Sequence, residues 1–111
     1  MEHYDEVSPI TQALNRIIAA GIDGISHTVM ERETETIVLE WQDERDIDHV
    51  EFNWRLTTLR DELANGINAF DKHLPLYAGL TPRAVARMRE MQKGLIDARE
   101  TVCRLHAKTL A

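Results

Sequence analysis

Residues 52–70 read FNWRLTTLRDELANGINAF, with apolar members at Phe52, Leu56, Leu59, Leu63, Ile67 and Phe70. Alternating steps of three and four place all six on one face of an α-helix. Asn65-Gly66 is a weak point, because glycine costs about 1 kcal/mol against alanine inside a helix. The stripe runs through it unbroken, so the spacing predicts one helix over 46–73. Pro75 stops it, since the residue before a proline is pushed out of the helical region.

Thr81-Pro82 opens a second long helix, over 82–110. Threonine is a favoured N-cap, and a proline at the first helical position has no amide to waste. Val85, Met88, Met91, Leu95, Ala98, Val102 and Leu105 then recur at three and four. The linking LPLYAGL is short, which favours antiparallel neighbours.

Toward the N-terminus the period changes. In ETIVLEW, residues 35–41, Ile37, Leu39 and Trp41 fall on one side, with Thr36, Val38 and Glu40 on the other. With the β-formers of GISHTVM before it, this alternation predicts a β-hairpin over 25–41, strands 25–31 and 35–41, its tip at Glu31-Arg32-Glu33-Thr34. The tip has no Asn-Gly or Asp-Gly, and MERETETIVLEW is also compatible with a helix. Ser8-Pro9 starts a short helix over 9–20, with Gly21 as its stop. Residues 1–7 are expected to be a flexible N-terminus.

The fold expected is therefore mainly α (α+β): a short helix, a β-hairpin and a long antiparallel helical hairpin in one domain. A helix of about 27 residues is roughly 40 Å long, against a radius of gyration near 13 Å for a compact chain of this size. Trp54 lies off the Phe52–Phe70 row, and Val50 and Ile47 precede it by four and seven. A second apolar row calls for a second surface. The expectation is a homodimer in which two hairpins build a four-helix bundle, with Ile47, Val50 and Trp54 at its interface. The competing arrangement is a three-helix monomer with Trp54 tucked under the β-hairpin.

The 111 residues are 43% hydrophobic and 29% charged, the balance of an ordinary folded domain rather than a disordered chain. No apolar run approaches the roughly 18 residues that cross a bilayer, so no membrane association is expected. MEHYDEVSP lacks a secretion signal, and the single Cys103 cannot pair internally; both point to the cytoplasm. The net charge of −6 is divided unevenly. Residues 1–51 hold thirteen acids against Arg16, Arg32 and Arg45, giving −10, whereas residues 52–111 hold six acids and ten bases, giving +4. An acidic half suits a basic partner and argues against direct nucleic-acid binding, which needs Lys and Arg.

Candidate chemistry is sparse. DERDIDHVE (43–51) alternates Asp46 and Asp48 but lacks the glycine and distal glutamate of a calcium loop. The five histidines show no zinc spacing. Cys103 and His106 are three apart, yet Cys103 adjoins the apolar row of Val102 and Leu105, which makes it a structural thiol rather than a nucleophile. No cofactor, metal or enzymatic activity is expected. Arg83 and Arg87, in the first turns of the last helix, together with Tyr77, could hold a small anionic ligand or nucleotide. The leading expectation is a non-enzymatic adaptor, chaperone or inhibitor that engages a basic or nucleic-acid-binding protein. Its contact residues would be Glu31, Glu33, Glu35, Glu40, Asp43, Glu44, Asp46 and Asp48.

Overall fold

The structure, a computed structural model, describes residues 8–24, 28–77, 79 and 81–110. Four helices follow one another: α1 (Pro9–Asp23), α2 (Thr28–Gln42), α3 (His49–His73) and α4 (Pro82–Leu110), with a 3₁₀ turn, Leu74–Tyr77, between α3 and α4. The long antiparallel hairpin expected from the two stripes is present as α3 and α4. The β-hairpin is not; no strand occurs among the described residues. The expected flexible segment 1–7 and the first residues of the expected hairpin, 25–27, lie outside the described residues.

The physical reason for that correction lies in which side chains α2 buries. A helix gathers Met30, Thr34, Ile37, Val38 and Trp41 onto one face, and all five are buried. The strand reading counted Leu39 as core and Val38 as outward. In the structure Val38 is 2% exposed and Leu39 is 56% exposed. Five core residues on one side outweigh an alternation of three. Thr34 is the polar member of that face, and it donates its hydroxyl to the Met30 carbonyl at 2.8 Å, so its burial leaves that hydroxyl satisfied.

Local chemistry fixes the helix starts. Ser8 Oγ accepts from the Thr11 amide at 3.1 Å, Asp48 Oδ1 from the Glu51 amide at 2.7 Å, and Thr81 Oγ1 from the Ala84 amide at 3.2 Å. α1 runs past Gly21 and ends at Asp23, with the Gly24 amide closing back onto the Ala20 carbonyl at 2.8 Å. Gly21 serves packing instead. A Cβ there would stand 2.5 Å from Met30 Sδ, and one at Gly94 would overlap the same sulfur. Met30 thus lies in a slot between α1 and α4 that only two glycines leave open.

The helices form an up-down-up-down bundle. Gly66 meets Leu95, and Asn53 meets His106, so α3 and α4 are antiparallel. Met30 meets Gly94, and Glu35 meets Arg104, so α2 runs parallel to α4. α2 and α3 sit across the diagonal and barely touch, so linker 43–48 crosses the end of the bundle. The core is one cluster in which Leu56, Leu59 and Leu63 of α3 are sealed by the other helices of the same chain. Four helices of a single copy therefore already enclose this core. α1 and α2 are too short to cover the whole hairpin, and the molecule is flattened rather than rod-like, at 49 × 41 × 24 Å.

Candidate interaction surface

The acidic residues singled out from the sequence divide into two sets. Glu33 and Glu40 on α2 flank Arg16 of α1. Arg16 Nε lies 2.7 Å from Glu33 Oε2, and its two terminal nitrogens lie 2.7 and 3.2 Å from the Glu40 carboxylate. The hydrogen bond from Arg16 holds the Glu40 carboxyl below its ordinary value. Glu35 pairs with Arg104 of α4 at 3.0 Å. Glu44 and Glu51 both accept from Arg55, at 2.5 and 2.9 Å. Burial alone would lower the Arg55 pKa, but the two carboxylates outweigh it and the guanidinium is held more firmly protonated. Arg55 also stacks 5.5 Å above the ring of buried Trp41, tying α3 to α2 where they otherwise scarcely meet.

The second set stays outward. Asp43 and Asp46 are exposed and form no ion pair among the described residues, as does half-buried Glu31. Asp48 is committed to capping α3 but keeps its charge at the surface. The outward acid is thus concentrated on the linker rather than spread over α2.

Beside this linker lies apolar surface. Val50 is 77% and Trp54 53% exposed, one turn apart on the side of α3 opposite Phe52, Leu56 and Leu59. Ile47, grouped with them from the sequence, instead turns inward and packs on the core. It lines a hollow of about 370 Å³ with Gln42, Asp48, His49, Phe52 and Thr109 at the end of the bundle. Gln42 and Thr109 carried no signal in the sequence; they join the site only because α2 and α4 end together there.

The expected anion site comes together less well. Arg87 Nη2 donates to the carbonyls of Gly21 and Ile22, at 3.2 and 2.7 Å, and so caps the C-terminus of α1. Arg83 is exposed at the start of α4. Tyr77 ends the 3₁₀ turn, and its side chain lies outside the described residues. Thr81, Arg83, Ala84, Ala86, Arg87 and Glu90 line a shallow concavity of about 540 Å³, in which the Glu90 carboxylate opposes an anion.

His106 Nε2 lies 3.1 Å from Asn53 Oδ1, while Asn53 Nδ2 donates to the His49 carbonyl at 3.0 Å, so the imidazole bridges α4 to α3 rather than facing Cys103 as a base. Among the described residues no group of three or more His, Cys, Asp or Glu is placed to hold a metal ion. No described helix is long and apolar enough to cross a membrane. No family model, curated protein or solved structure matches the chain.

Proposed function

We propose that this chain is a non-enzymatic protein-binding module that engages a basic partner protein through linker 43–48 and the outward side of the first two turns of α3. The observation that carries this reading is the pairing of solvent-facing Val50 and Trp54 with the carboxylates of Asp43 and Asp46, which meet no cation among the described residues. An exposed tryptophan beside uncompensated charge has the composition of a binding hot spot with a polar rim. Glu33, Glu35, Glu40 and Glu44 belong to the scaffold in this reading, because arginines of the same chain already answer them.

A twofold dimer across Val50 and Trp54 is less well supported. A twofold axis there would bring like charges together at Asp46 and Asp48. A partner with an apolar groove and a basic rim avoids that repulsion.

The test is capture from native lysate at low and high salt, comparing the natural chain with Trp54→Ala and with Asp43→Asn/Asp46→Asn. The expected result is a partner retained at low salt by the natural chain only, released at high salt and lost from both variants. Capture that survives either variant, or that ignores salt, contradicts the reading.

A further inference from the structure

The end of the molecule remote from the acidic linker has the opposite character. Lys72, Arg83, Arg89 and Lys93 are exposed and form no ion pair among the described residues. Over residues 71–93 five bases face two acids, a local +3; over 43–55 five acids face two bases, a local −3. The two ends also differ in shape. The acidic end carries the projecting side chain of Trp54, whereas the basic end carries the shallow concavity bordered by Arg83, Arg87 and Glu90, with Leu76 of the preceding turn exposed at 75%. The 25 residues of α3 separate them by about 37 Å. That is several screening lengths, so neither end neutralises the other within one chain.

We propose that the occupant of the concavity at the basic end is the acidic end of a second copy of this chain. Trp54 of one copy covers the exposed Ala86 of the next. Its ring meets the Arg83 guanidinium, and Asp43 and Asp46 face Arg89 and Lys93, which follow Ala86 and Glu90 by one turn on α4. Such a contact is head-to-tail. Each copy keeps one end free, so assembly continues into an open row or closes into a ring rather than stopping at a twofold dimer. The proposal rests on the docking role assigned to the Val50–Trp54 surface and identifies one ligand for it.

Two variants test it in sedimentation velocity at low and high ionic strength. Trp54→Ala/Asp46→Asn removes the acidic end and leaves the basic one; Arg83→Ala/Arg89→Ala does the reverse. All four positions are exposed, so circular dichroism should show both variants folded. At low salt the weight-average mass of the natural chain should climb with concentration from 12.8 kDa past twice that value, and fall back at high salt. Each variant alone should remain monomeric, with association weakened at least about tenfold. An equimolar mixture should form a complex of two chains and stop there, because each variant contributes one intact end.

A natural chain that stays monomeric at low salt overturns the proposal. So does a salt-insensitive species that halts at two copies, or association by either variant alone. The docking role is read separately. If self-association is absent, but Trp54→Ala/Asp46→Asn still loses a lysine-rich peptide that the natural chain binds, the docking surface stands and only the second copy is excluded as its ligand.

Discussion

The slot around Met30 yields a prediction whose sign depends on α2 being a helix packed on α4. Met30 is 1% exposed, and a Cβ added at Gly94 would overlap its sulfur and lie 3.0 Å from its Cε. Gly94→Ala gains about 1 kcal/mol of helix propensity. It also forces a methyl into a filled slot, at a cost of about 1–3 kcal/mol. The net expectation is a loss of about 1 kcal/mol. Met30→Ala empties the slot and should cost about 2–5 kcal/mol. In that background the added methyl meets no sulfur, so Gly94→Ala should now stabilise by up to about 1 kcal/mol. The two changes should therefore couple by about 2 kcal/mol, well outside the scatter of independent sites. Urea denaturation of the four proteins, followed by circular dichroism, measures the cycle. Gly94→Ala stabilising the natural chain, or the two changes adding to within about 0.5 kcal/mol, would refute the packing of Met30 between α1 and α4.

Three further outcomes follow from particular contacts. Asp48→Ala removes the acceptor that caps α3 and should cost about 1 kcal/mol, read as a lower urea midpoint with an unchanged slope. The Glu40 carboxyl is held below its ordinary value of 4.5 by Arg16. Its contribution to stability is therefore complete above that pH and lost as the pH falls below it, so Glu40→Gln should flatten the decline in urea midpoint between pH 5 and pH 3. Backbone carbon shifts across Thr28–Gln42 should be helical without interruption; strand-like shifts at 35–41 would restore the hairpin.

What could be seen in the sequence was whatever needs no distant partner. The Phe52–Phe70 and Val85–Leu105 stripes are periodic over several turns, and only helices with buried faces satisfy such runs. The pairs Ser8-Pro9 and Thr81-Pro82 carry their own capping chemistry within three residues. The stretch 28–42 was ambiguous because its face includes a threonine and adjacent Ile37-Val38, whereas Ile37, Leu39 and Trp41 also fit a strand. Helix formers through ERETE and the missing turn signal at the supposed tip pointed the other way. Which acids were already paired depended on Arg16, Arg55 and Arg104 arriving from other helices, and local spacing holds no trace of that. The same is true of Arg87, whose partners are carbonyls 65 and 66 residues away in the chain.

The account turns on α2 completing the core from within one chain, so that the second row of α3 faces water. The two tryptophans report on this directly, because Trp41 is 6% and Trp54 53% exposed. Acrylamide quenching of the single-tryptophan variants Trp41→Phe and Trp54→Phe, in dilute solution, measures both sites. Trp54 should be quenched nearly as readily as free indole and Trp41 only weakly; a shielded Trp54 would contradict the fold and the docking surface together.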